Sequence, residues 1–144
     1  MEIKKVSIIM RSHQHDADDR SGPGINFFTM GEYYKDDNKH VIKYDESEVS
    51  GLEGTRTTLM VDGDGIILER HGNHRMCQIF RVSQKEYTTY NTPYGDLLVE
   101  IIPTQVESSW SSEGGQINLA YFISIGGQEL GEHKMSINIS PAVG

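Results

Sequence analysis

The chain has 144 residues, enough for one domain and short for two, and 13 Lys and Arg against 21 Asp and Glu leave a net charge of -8. That sign repels phosphate backbones and anionic lipid surfaces, and the longest basic run is the pair Lys4–Lys5, so neither nucleic acid nor membrane is expected as a partner. Cys77 is the only cysteine, which excludes an intramolecular disulfide. Hydrophobic residues make up 36% of the chain, and seven Tyr, four Phe and six Met supply core material that a disordered acidic chain lacks. A single domain over residues 1–144 is expected. The apolar stretch after Lys4–Lys5 is shorter than a secretory core, and no run approaches the roughly 18 residues of a membrane span, so the expected location is the cytoplasm.

Taken in chain order, the elements read as strands. Val6, Ile8 and Met10 alternate with Lys5, Ser7 and Arg11, and Gly22-Pro23-Gly24 marks the turn that follows. Two Tyr-containing strands flank Asp36-Asp37-Asn38. The acidic segment Asp45 to Gly54 reads as an exposed connection. Gly63-Asp64-Gly65 joins Thr58-Leu59-Met60-Val61 to Ile66-Ile67-Leu68, and Gly72-Asn73 signals the next turn. Pro93-Tyr94-Gly95 precedes the alternating Leu97, Val99 and Ile101, while Ser108 to Glu113 reads as a strand end, a loop or a short helical turn. Ile117, Leu119, Tyr121, Ile123 and Ile125 take five odd positions; after Gly126-Gly127, Met135, Ile137 and Ile139 repeat the pattern. A strand puts such residues on one face, whereas a helix would scatter them around its circumference. About ten strands separated by Gly- and Asn-rich turns predict an antiparallel sandwich or barrel.

Several strands are apolar on both faces, at Phe27/Phe28, Ile66/Ile67, Leu97/Leu98 and Ile101/Ile102. Closure into a barrel removes the edges that so many strands would otherwise expose, but the pattern by itself also allows a sandwich. An ordered series of short motifs favours the barrel: Gly31-x-x-Tyr34, Tyr44-Asp45-Glu46, Thr55-x-x-Thr58-x-x-Val61, Leu68-x-Arg70-x-Gly72, Met76-x-x-x-Phe80, Tyr90-x-Thr92-x-Tyr94-Gly95 and Gly115-x-Ile117-x-x-x-Tyr121. Over nearly the whole chain this series resembles the YwiB-type family of small bacterial proteins; the segment His13 to Gly24 matches it least. The resemblance implies an all-β, antiparallel, calycin-like (lipocalin-related) closed β-barrel of about eight to ten strands. It brings no activity and no catalytic residues with it.

The candidate sites divide by chemistry. His13, His15 and Asp16 open a ligand-rich segment with the donors for Zn²⁺ or Ni²⁺, although a solvated acidic loop explains the same composition. Asp62-Gly63-Asp64-Gly65 fails as a calcium loop because Asn73 stands where a bidentate Glu belongs. Glu69, His71 and His74 have acid–base chemistry. Cys77 would fall on the opposite strand face from His74, and among Met76 and Ile79 it reads as a small buried hydrophobe. No nucleophile elbow, phosphate loop or nucleotide fingerprint occurs, so neither an enzyme nor a cofactor is expected.

The remaining constellation is polar groups on strands. Tyr44, Glu46, Thr58, Arg70, Met76, Phe80, Tyr90 and Thr92 are the expected lining of an interior site. There Arg70 fixes an acidic head group and the apolar side chains hold a body, because a buried guanidinium needs a partner. The expected function is binding of a small apolar or amphiphilic ligand inside the barrel, as calycin relatives do. The competing reading is a filled barrel acting as a structural or interaction module, with a homodimer through outward Leu98, Ile102 and Phe122 as one form of it.

Overall fold

The computed structural model describes residues 2–15, 25–48, 52–63 and 65–142. They form ten strands: β1 (Lys4–His15), β2 (Ile25–Asp36), β3 (Lys39–Asp45), β4 (Thr55–Asp62), β5 (Gly65–Gly72), β6 (Met76–Phe80), β7 (Glu86–Thr92), β8 (Gly95–Ser111), β9 (Gly114–Ile125) and β10 (Gln128–Pro141). Among the described residues there is no helix, and hence none long and apolar enough to cross a membrane. The segment from Ser108 resolves as the end of β8 followed by a turn at Ser112–Glu113.

Every pairing is antiparallel, in the order β6-β5-β4-β3-β2-β1-β10-β9-β8-β7. The first and last strands of that order meet at one bridge, where the Arg75 and Asn91 main chains exchange two hydrogen bonds of 2.9 Å. Beyond the bridge, side chains replace the ladder. Thr88 Oγ1 on β7 donates to the Cys77 carbonyl on β6 at 2.8 Å. The result is a nearly closed barrel with one loosely stitched seam.

Alternation decides which residues fill the interior. Val6 and Ile8 on β1, Ile42 and Tyr44 on β3, Leu59 and Val61 on β4, Ile117 and Leu119 on β9, and Ile137 and Ile139 on β10 are all buried in one cluster. On β8 the register with β9 shifts between Pro103 and Gln105. A bulge of one residue reverses the parity of everything after it. Val99 and Ile101 therefore pack inward from odd positions, and Val106 and Trp110 from even ones.

Trp110 plugs one end of the barrel. Its indole stacks on His40 at 4.0 Å and 2°, and on Tyr33 at 5.6 Å, while the Tyr33 hydroxyl lies 2.7 Å from His40 Nδ1. Gly115 sits opposite Trp110 because any Cβ there would lie 2.2 Å from the ring. Elsewhere the core approaches main chain as closely. A Cβ at Gly31 would stand 2.5 Å from the Lys43 carbonyl oxygen and 2.8 Å from Ile8 Cδ1. Gly31→Ala is expected to lower stability by about 1–3 kcal/mol through overpacking, as read from urea unfolding followed by the fluorescence of the single Trp.

Candidate functional site

The opposite end of the barrel carries the polar interior. Arg70 ends the inward row Ile66–Leu68–Arg70 on β5, and Tyr44 ends the inward row of β3. Glu46 follows one residue past β3 and is buried, held by a 2.8 Å hydrogen bond from its main-chain N–H to the Thr55 carbonyl. This corrects the expectation of an exposed acidic connection at Glu46, while Asp45 before it is exposed. The carboxylate is retained because it accepts hydrogen bonds: Thr57 Oγ1 donates to Glu46 Oε1 at 2.7 Å. Thr57 is completely buried.

Arg70 is the centre of this group. Its charge acts on three tyrosine hydroxyls, those of Tyr44, Tyr90 and Tyr121, and on Tyr90 at hydrogen-bonding range. Burial raises the pKa of all three phenols; Arg70 opposes that rise, and the Glu46 charge adds to it at Tyr44 and Tyr90. All three stay protonated at neutral pH. Arg70 forms no salt bridge among the described residues, and its Nε–H is buried without an acceptor. An unmatched buried donor of this kind costs about 1–3 kcal/mol, more when charged.

A cavity of about 140 Å³ adjoins these groups. Met10, Phe27, Leu59, Leu68, Met135 and Ile137 form its apolar wall; Ser12, Tyr44, Glu46 and Arg70 form its polar side. The volume compares with the ~150 Å³ cavity that accepts benzene, and falls short of the roughly 300–1,000 Å³ typical of drug-sized ligands.

Of the eight residues expected to line an interior site, Tyr44, Glu46 and Arg70 border this cavity. Tyr90 faces the same interior, hydrogen-bonded to His74 Nδ1 at 3.0 Å. Met76 packs against the core from β6, and Phe80 is buried deeper, 5.2 Å from the Tyr121 ring. Thr58 lies on the outer face, because the inward positions of β4 are Thr55, Thr57, Leu59 and Val61. Thr92 closes the β7–β8 turn by donating to the Gly95 carbonyl at 2.8 Å. Neither threonine joins the cavity.

Other chemistry disperses. His71 pairs with Glu69 at 3.4 Å on the exposed surface, away from His74, which turns to Tyr90. Cys77 is exposed on β6 instead of buried, since inward Met76 and Gln78 flank it. Its thiol is pushed above the ordinary range by desolvation and by Glu69, which is the wrong direction for a nucleophile. His13 is exposed on β1, Asp16 to Asp19 lie outside the described residues, as do Gly22 to Gly24 and Asp64, and no metal-sized group of three or more His, Cys, Asp or Glu occurs among the described residues. Sequence reading missed Thr57, Gln78 and His133. Gln78 is buried with an unpartnered Oε1, and His133 stacks on Tyr121 at 5.5 Å with its Nε2 buried and unpartnered. Parity could have found Gln78 and His133, since each shares a face with an expected core residue.

These features define an antiparallel ten-stranded barrel, plugged by aromatics at one end and holding a small arginine-bearing cavity toward the other. The chain belongs to the family described as Domain of unknown function (DUF1934), which matches residues 8–137. It is 28% identical over 120 residues, 83% of each chain, to a Bacillus subtilis (strain 168) protein called "Uncharacterized beta-barrel protein YwiB". The crystal structure of the ywiB protein from Bacillus subtilis shares the fold, with a TM-score of 0.85 at 24% identity, over 98% of this chain and 94% of that one.

Burial lowers the pKa of His133, and of His40 at the plugged end, where Lys35 lowers it further. The fold disfavours the charged form of both, so the unfolded chain binds more protons as pH falls. Their contribution is complete above the unfolded value of about 6.5 and is lost as pH falls through the depressed folded values. Thermal melts between pH 7.5 and 5 should show a declining midpoint, with a shallower decline in His133→Asn.

Proposed function

We propose that this barrel binds a small organic anion with a short apolar body, without catalysing its conversion. One observation carries the reading: the buried Arg70 Nε–H lacks an acceptor beside a cavity whose opposite wall is apolar. A carboxylate supplies that acceptor, and a guanidinium presents its donors in a geometry suited to it. The body then contacts Met10, Phe27 and Met135. The volume supports a body about the size of benzene and argues against burial of haem or a long acyl chain.

A relation to calycins belongs to this proposal and rests on the shared antiparallel barrel plan; the ten strands here exceed the eight of lipocalins. Fold analogy is a weak warrant for function, so the weight falls on Arg70. Action in the cytoplasm is likewise part of the reading, supported by the exposed, unpaired Cys77. A second reading, a filled barrel without a ligand, draws on the same volume: most of the interior is occupied by side chains.

Melting temperatures separate the two. Benzoate and C4–C8 alkanoates at millimolar concentration should raise the midpoint by several degrees, while the matching neutral alcohols should do much less. Arg70→Met should lose the response to anions. A flat response across the whole series would leave the filled barrel as the better account.

A further inference from the structure

The cavity beside Arg70 holds a second charge that a simple carboxylate leaves unanswered. Among the described residues that border it, Arg70 and Glu46 are the only charged ones. Glu46 is 9% exposed and the Arg70 Nε–H is buried, so water screens neither charge well. The two make no ion pair with each other.

Ladder register explains how they stay apart yet border one space. Tyr44, Thr57 and Arg70 are direct neighbours across β3, β4 and β5. Thr57 Oγ1 donates to Glu46 Oε1 at 2.7 Å, which ties that carboxylate to the residue beside Arg70. The Tyr44 hydroxyl also stands at hydrogen-bonding range of Glu46. A carboxylate has about four lone-pair sites, so two hydroxyl donors leave room for a further one. Apolar side chains from other strands complete the lining: Met10 on β1, Phe27 on β2, and Met135 and Ile137 on β10. An occupant that meets all of this needs a carboxylate toward Arg70, an N–H-bearing cation toward Glu46, and a compact apolar group. A carboxylate alone adds a second negative charge beside Glu46. An ammonium on the same molecule restores the balance, and buried charges are tolerated when they are matched.

We infer that the cavity takes a zwitterion, a small amino acid with a compact apolar side chain such as valine, held by Arg70 and Glu46 together. This rests on the proposal that Arg70 receives a carboxylate, and it adds the group that Glu46 receives. Valine is no larger than benzoate, in keeping with a cavity of about 140 Å³.

Isothermal titration calorimetry of the full chain at neutral pH separates the contributions. L-Valine carries both charges, 3-methylbutanoate lacks the ammonium, and 2-methylpropylamine lacks the carboxylate. L-Valine should bind about tenfold or more tightly than either, because each analogue leaves one buried charge unmatched. Glu46→Gln should erase the preference for L-valine over 3-methylbutanoate, and Arg70→Met should lose both. The analogue series on the wild-type chain keeps the test valid if Glu46→Gln fails to fold. Binding of 3-methylbutanoate as tight as that of L-valine would overturn the zwitterion and leave the anion reading standing. Binding of 2-methylpropylamine as tight as that of L-valine, or a preference that survives in a folded Glu46→Gln, would overturn it too. Benzoate bound with L-valine refused would sink this inference alone, whereas refusal of every one of these ligands would remove both readings.

Discussion

Every strand of a closed barrel must send alternate side chains inward, and this chain obeys that constraint over ten strands with two corrections, at the β8 and β10 bulges. The consequence reaches beyond the core. On β5 the inward series Ile66 and Leu68 runs on to Arg70, so a permanent positive charge is delivered to the interior by the same geometry that buries its apolar neighbours. Three tyrosine hydroxyls, a buried carboxylate and a small cavity surround it. The chemistry of the site follows from where alternation leaves one guanidinium.

The two ends of the barrel meet different demands. At the plugged end, Trp110, His40 and Tyr33 close the interior with stacked rings, and glycine at position 115 is what admits the indole against β9. Toward the other end the side chains stop short of filling the space. Arg70 and Glu46 are not in salt-bridge contact, each leaning instead on hydroxyl groups. A pair tightly bound to each other would have neutralised the site. Their separation leaves the Arg70 Nε–H without an acceptor, the observation on which the proposed anion site rests.

Much of this was legible in the sequence. Period-two alternation and the Gly/Asn punctuation mark nearly all the strands, and the motif series points to the right family and to a barrel. Tyr44, Glu46 and Arg70, which border the cavity, stand out in the sequence because a polar group in an apolar alternation is conspicuous. Thr58 was misplaced by one residue: in Thr55-Arg56-Thr57-Thr58 the two adjacent threonines are chemically alike, and only the burial of Thr55 and Thr57 shows which parity faces inward. Cys77 was read from its apolar neighbours, yet β6 is so short that its inward face is set by pairing with β5. Thr92 belongs to a turn whose hydrogen bonds depend on the conformation at Gly95. The cavity volume depends on rotamers from six strands, which no local pattern encodes.

The most direct measurement is the nuclear magnetic resonance of the Arg70 Nε–H, assigned by comparison with Arg70→Lys. A buried guanidinium with a spare donor predicts one arginine signal protected from exchange with water, which moves to a saturating position as benzoate is added. A signal that exchanges as freely as those of surface arginines, or one that stays in place at every concentration of the anion, would contradict the account.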